Sequence, residues 1–321
     1  MISNSLLKKS QSLIALFLLM VVLSVVSDKF LTTGNLWNVL RQISVNLCLS
    51  IGMTLVILTA GIDLSVGAIL GLSGAICAGL LKFGLAFPVL DLWVGFTVLG
   101  ATLAAILVGT SLGFFNGWVI TRFSVPPFVA TLSMLTIARG LSFLYTQGQP
   151  ISDLGTDFEQ IGAAWLLGVP VPVWISAFLI LVFVVITNRT SLGRFIYAIG
   201  GNEKAALVSG IPIKQVKWLV YALSGAMAAI GGVLVTSRLN SAQPNAGMNY
   251  ELDSIAAIVI GGTSLSGGQG SIKGTIIGAI LIGVLNNGLV LLNVSPFWQQ
   301  VVKGLVILLA VIVDKMNQKS N

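Results

Sequence analysis

Few residues in this chain could carry out acid–base or nucleophilic chemistry. Histidine is absent, and the two cysteines, Cys48 and Cys77, sit inside apolar stretches. A Ser-His-Asp or Cys-His nucleophile, a zinc site and a disulfide scaffold are therefore not expected. The reading is of a chain with no catalytic residue, no metal and no cofactor. What chemistry remains is hydrogen bonding within apolar runs. Asn46, Asn116, Asn286 and Asn287 lie in such runs, as does Arg139. Polar groups in membrane segments are costly, so they mark either a pathway or an interhelical hydrogen bond. The four asparagines are the pathway candidates. Arg139 is expected to pair with a carboxylate or carbonyl oxygens, or to snorkel outward.

The elements that must position these groups are membrane helices. Of the 321 residues, 56% are hydrophobic and 8% are charged, with a mean hydropathy of +1.00. A soluble domain carries about 25% charge. This composition excludes a soluble globular protein, a disordered chain and a nucleic-acid binder. The predicted fold is all-α: one transmembrane domain over residues 1–321, with a helix bundle from 12 to 317. Apolar runs long enough to span occur about ten times. They lie near 13–27, 43–60, 63–81, 92–121, 126–146, 172–190, 217–238, 251–263, 272–292 and 297–314, the third and eighth being weak. No small-residue cleavage pattern follows the first, which reads as a retained helix rather than a signal peptide. Pro126, Pro127, Pro172 and Pro296 mark helix starts. Gly34–Ile43 has helical apolar spacing and reads as a short interfacial helix or an extension of the second span.

Lys and Arg in short loops set the orientation. One side collects Lys8, Lys9, Arg122, Arg189, Arg194, Lys204, Lys214, Lys217, Lys273, Lys315 and Lys319, and the other Lys29, Arg41, Lys82 and Arg238. Both termini and residues 188–215 are then cytoplasmic, and 147–171 lies outside. Small residues at four-residue spacing (Gly67 and Gly71; Gly109, Gly113 and Gly117; Gly274 and Gly278) predict close helix packing. An internal echo links Ala60–Gly67 to Gly261–Gly268 at an offset of 201 residues, a weak sign of an internal repeat. The Gly-rich 267–270 run lacks the Lys-Ser/Thr of a P-loop, so the chain is not expected to bind ATP.

The loop 188–215 holds a short helix with both ends specified. Asn202 suits the N-cap, Glu203 the first turn and Gly210 the left-handed C-terminal position, with Pro212 beyond. Two turns span roughly 10 Å and are too short to stand alone in water, so the helix docks either on its own chain or on a cytoplasmic partner.

Ala205-Ala206-x-x-x-Gly210 in such a loop resembles the EAA loop of ABC importer permeases. Longer strings are similar to the sugar branch of these inner-membrane, binding-protein-dependent permeases. They are Gly52–Gly67, Ser191–Arg194, Ala198–Glu203, Ser209–Ile211, Ile260–Gly268, Ser241–Pro244 and Asn286–Gly288. The resemblance covers about 13–314, and Lys204 departs from the wider EAA pattern. It implies a pore made with a second copy of the chain, surrounded by membrane lipid. A cytoplasmic ATPase with two fused nucleotide-binding halves would bind below, and a periplasmic sugar-binding protein would dock above. The cargo it implies is ribose or a related monosaccharide, which needs only weak hydrogen bonding along its route. Arg194, Gly200, Gly201, Asn202, Glu203, Ala205, Ala206 and Gly210 would couple to the ATPase. Gln243, Asn249 and Glu251 would meet the binding protein, though the acid could equally favour a helix N-terminus. Alternatives are a same-class permease for another sugar or a sugar-derived signal, or a stand-alone secondary transporter.

Overall fold

A computed structural model describes the backbone of residues 2–87 and 91–319, and the side chains of 11–86, 91–309 and 311–312. Lys8, Lys9, Lys315 and Lys319, which enter the charge count, lie outside the described side chains. In chain order the elements are α1 (Ile2–Val26), α2 (Thr33–Leu58), α3 (Val66–Phe83), β1 (Leu85–Phe87), β2 (Leu92–Val94), α4 (Val98–Phe123) and α5 (Pro127–Thr146). Then come β3 (Ile151–Ser152), α6 (Thr156–Ala163), β4 (Trp165–Leu166), β5 (Val169–Pro170), α7 (Val171–Arg189), α8 (Ser191–Gly201) and α9 (Glu203–Val208). The chain continues with α10 (Ile213–Leu239), β6 (Ser241–Ala242), α11 (Tyr250–Ile260), α12 (Ile272–Leu291) and α13 (Pro296–Lys319). The all-α expectation holds, with three two-stranded antiparallel ribbons at helix ends.

Among the described residues, seven helices are long and apolar enough to cross a membrane: α2, α3, α4, α5, α7, α10 and α12. The apolar stretches of α1 and α13, Gln11–Val26 and Pro296–Leu309, are shorter. The weak eighth run is only the 11-residue α11. Ten spans are thus not confirmed: hydropathy alone does not tell a half-length helix, or a strand such as β2 at the start of the fourth run, from a crossing. Gly34–Ile43 is no separate interfacial helix: it is the first part of the continuous α2. Pro127 and Pro296 open α5 and α13, while α7 begins one residue before Pro172.

The chain forms two compact units, each built from separated stretches. The first comprises 1–61, 177–211 and 252–321. In it α12 packs on α2 and α1 around Leu23, Ile43, Leu47, Ala279 and Ile282. Gly274 and Gly278 lie so close to α11 that a Cβ would overlap the Gly261 or Ala257 carbonyl oxygen, as the small-residue spacing predicts. The second unit comprises 62–176 and 212–251. Its centre is α10, which packs on α3, α4 and α6, while α3 also packs on α4 and α5. A Cβ at Gly113 would strike the Tyr221 carbonyl and one at Gly225 the Gly109 carbonyl, so α4 and α10 touch backbone to backbone.

Candidate functional site

Three of the sequence strings meet in the first unit. The end of α2 brings Leu58, the end of α8 brings Gly200 and Gly201, and the turn after α11 brings Gly267 and Gly268. The Gly268 amide donates to the Leu58 carbonyl at 3.0 Å. A side chain at Gly200 would overlap that same carbonyl and the Gly268 amide nitrogen, and one at Gly268 would overlap Gly201. Gly268 is also left-handed, at φ +70°. Glycine is required here by contact as well as by conformation. The Tyr197 hydroxyl, on α8, donates to the Gly270 carbonyl at 3.0 Å. Burial raises its pKa above the usual phenol value, so the hydroxyl stays protonated and keeps donating.

Local sequence explains why α8 and α9 form. Thr190 caps α8, its hydroxyl accepting from the Gly193 amide at 3.3 Å. The buried residues Gly193, Ile196 and Ile199 recur every three positions and turn one face inward. Asn202 then ends α8 and caps α9, its Oδ1 accepting from the Ala205 amide at 3.0 Å. At the far end Gly210 has φ +80°, and the Ile211 amide returns to the Ala206 carbonyl at 3.1 Å. Both predicted caps of α9 are therefore present. The face assignment differs from a simple outward reading. Ala206 is 4% exposed and faces its own chain, whereas Leu207 and Val208 are 64% and 89% exposed. Arg194, Gly201, Asn202, Glu203, Ala205 and Gly210 are exposed, and Gly200 is half-buried.

The second unit holds a buried polar cluster that the sequence reading passed over. Asp63, fully buried, accepts from the Ser65 amide at 3.0 Å, the Ser65 hydroxyl at 2.5 Å and the Ser224 hydroxyl at 2.9 Å. Asn116 donates to Ser65 at 3.0 Å. The signal was a lone acid between two apolar runs with Ser65 two residues on, while its other donor, Ser224, lies far away in sequence. The internal echo recurs as geometry. Ser264 accepts from the Ser266 amide as Asp63 does from the Ser65 amide. Both preceding helices close alike, Gly61 onto Val56 and Thr263 onto Ile258, with Ala60 and Gly262 left-handed. From that closure to the turn the first copy is one residue longer.

Three of the four pathway asparagines bond to other residues rather than to one another. Asn116 is 2% exposed and tied into the Asp63 cluster. Asn287, 4% exposed, pairs amide to amide with Asn35 at 2.8 and 3.0 Å. Asn286 donates to Asp253 at 3.3 Å, and Asp253 also takes Lys303 as an ion-pair partner at 2.9 Å. For these three the geometry is that of interhelical hydrogen bonding. Asn46 is half-buried. Arg139 does bond carbonyls, Pro244 at 3.2 Å and Ala246 at 2.7 Å. Gln243 and Asn249 are half-buried, and Glu251, expected at a docking surface, is buried.

Residues 35–311 match the family described as branched-chain amino acid transport system / permease component. The chain belongs to this family. It is 48% identical over 314 residues to the ribose import permease protein RbsC of Bacillus subtilis (strain 168), covering 97% of this chain and 94% of that one. It is 46% identical over 316 residues to RbsC of Escherichia coli (strain K12), covering 97% and 95%. It is 40% identical over 292 residues to the D-allose transport system permease protein AlsC of Escherichia coli (strain K12), covering 91% and 86%. No solved structure matches it. The chain is a multi-pass membrane permease, and its relatives are transport subunits rather than enzymes.

Proposed function

We propose that this permease is the transmembrane subunit of an ATP-driven importer that carries ribose into the cytoplasm, the whole chain acting as one membrane domain. The observation that carries the reading is α9. It is six residues long, capped at both ends, and turns Leu207 and Val208 outward beside the glycine junction. A helix this short is stable only when something grips it, and apolar residues so exposed are suited to a partner's groove. That partner is a cytoplasmic ATPase with two fused nucleotide-binding halves, which Arg194, Gly200–Glu203, Ala205 and Gly210 help to present α9 to. The ribose permeases that match over nearly the whole chain support ribose as cargo.

The reading includes a second copy of the chain, a surrounding lipid bilayer and a periplasmic sugar-binding protein met in part by Gln243. It places both termini in the cytoplasm. The second reading is the same machine for another monosaccharide, favoured by the match to the D-allose permease. Reconstitution of the permease with its ATPase and ribose-loaded binding protein should give ATP-dependent ribose uptake into liposomes. Full-rate uptake by the permease alone, without ATPase, would refute the reading. ATP-driven uptake of another sugar in preference to ribose would transfer it to the second reading.

A further inference from the structure

The segment between α10 and α11 takes an unusual course for a membrane chain. It leaves the β3–β6 ribbon, where the Ser241 and Ser152 hydroxyls bond at 2.9 Å. That ribbon lies at the far end of α3, because the Lys82 ammonium reaches the Ser152 carbonyl at 2.7 Å. By Ala246 the segment lies against Gly71, and by Gly247 against Gly67 in the first turn of α3. An 18-residue helix is about 27 Å long. Residues 242–249 therefore run down most of the length of α3 without forming a helix.

In hydrocarbon, every backbone polar group must find a partner. Here the segment's own turns satisfy part of the backbone, the Ala246, Met248 and Tyr250 amides donating to the Gln243, Asn245 and Gly247 carbonyls, and side chains of α5 supply further partners. Arg139 donates to the Pro244 and Ala246 carbonyls, and Ser142 donates to the Pro244 carbonyl at 3.3 Å. Glu251 adds an attractive charge interaction with Arg139. Gly67 and Gly71 leave a bare strip of α3 into which the segment fits: a Cβ on Gly67 would overlap the Gly247 carbonyl, and one on Gly71 would press on the Ala246 carbonyl. The small-residue spacing at Gly67 and Gly71 thus serves a run of consecutive turns rather than a neighbouring helix.

The segment has two sides. Ala242, Pro244 and Gly247 are buried, whereas Asn245 and Met248 are exposed. Irregular backbone at membrane depth is tolerated only where it is enclosed by protein or lines water, and an asparagine amide facing lipid would lose its hydrogen bonds. We propose that residues 243–249 form a wall of the aqueous route for an uncharged polyol. Asn245 offers its amide to sugar hydroxyls, and Arg139 is the positioning residue that holds the wall against α3. The polyol cargo rests on the function proposed above, while the aqueous wall does not.

The test uses the complete transporter in liposomes, with a hydrophilic methanethiosulfonate reagent. Cys48 and Cys77 are buried and are replaced by alanine. Asn245→Cys should react, lose most of its import on reaction, and react more slowly while ribose is being imported. Ser152→Cys should react as an aqueous control, and Leu107→Cys, exposed midway along α4, should not. Arg139→Met should reach the membrane in normal yield but abolish the protection of Asn245→Cys by sugar and most of the import. An inert Asn245→Cys beside a reactive Ser152→Cys would overturn the proposal, as burial against lipid or a second copy would produce. Reaction without loss of import would overturn it too, as would Arg139→Met with full protection and full import. If a monosaccharide other than ribose protects, the wall stands and ribose as the cargo fails.

Discussion

At the residue scale, glycines and buried ion pairs set the tolerances. Gly200→Ala places a methyl against the Leu58 carbonyl and the Gly268 amide, so the α2–α8 junction must open. Overpacking of this kind costs about 1–3 kcal/mol. The expected outcome is a lower melting temperature in detergent, measured beside Gly201→Ala, which meets open space and should be neutral. Lys303 and Asp253 allow a cleaner test. Lys303→Met leaves a nearly buried carboxylate without its cation and should cost about 3–5 kcal/mol. Adding Asp253→Asn should restore most of that, since the charge is then gone, and the double variant should melt near the parent. An additive loss in the double variant would show that the pair does not act as a unit. In the sequence Lys303 is only a cation within the apolar run 297–314. Its partner lies 50 positions away, and spacing along one chain carries no sign of such a contact.

At the element scale, α9 was readable because its determinants are local. Asn202, Glu203, Gly210 and Pro212 specify ends through groups three or four residues apart, and the structure shows both caps. Which face looks outward was not readable, since it depends on what α8 packs against. Ala206 would otherwise be the natural place for a bulky blocking change, but it is buried, and tryptophan there would disturb the chain's own packing. Leu207→Asp with Val208→Asp is the better test. The pair should leave membrane yield and melting unchanged and abolish co-purification of the ATPase. Retained co-purification would mean that the partner grips elsewhere. Gly210→Val forces a β-branched residue into φ +80°, at a cost of about 1–2 kcal/mol. It should weaken ATPase association less completely than the double aspartate. The span count also depends on this scale: α11 has the composition of a crossing helix in only 11 residues, and the turns before it give no hydropathy signal.

At the scale of the whole molecule, composition and short strings carried the reading. An apolar chain with few charges leaves little besides a bundle, and three of the motif strings that suggested the family meet as backbone contacts at Leu58, Gly200 and Gly268. A pathway role for the asparagines was not readable, because polarity within an apolar run does not distinguish a pathway from a clasp such as Asn35–Asn287. The proposed orientation is testable on intact cells. A cysteine at Ser152 should react with an impermeant thiol reagent and one at Ser191 should not, whereas the reverse pattern would invert the topology.

The brevity of α9 has a consequence that needs no transport assay. With so few turns, and with Leu207 and Val208 bare, its amide protons in the isolated permease are protected only by a helix that opens readily. In deuterated buffer the amides of Ala206 to Gly210 should exchange early, ahead of those in α10. Once a partner clamps the helix, the same amides should slow sharply while the buried helices of the bundle keep their rates. The deuterium clock at these few positions would then read occupancy of the docking site directly, in a detergent micelle and with no sugar present.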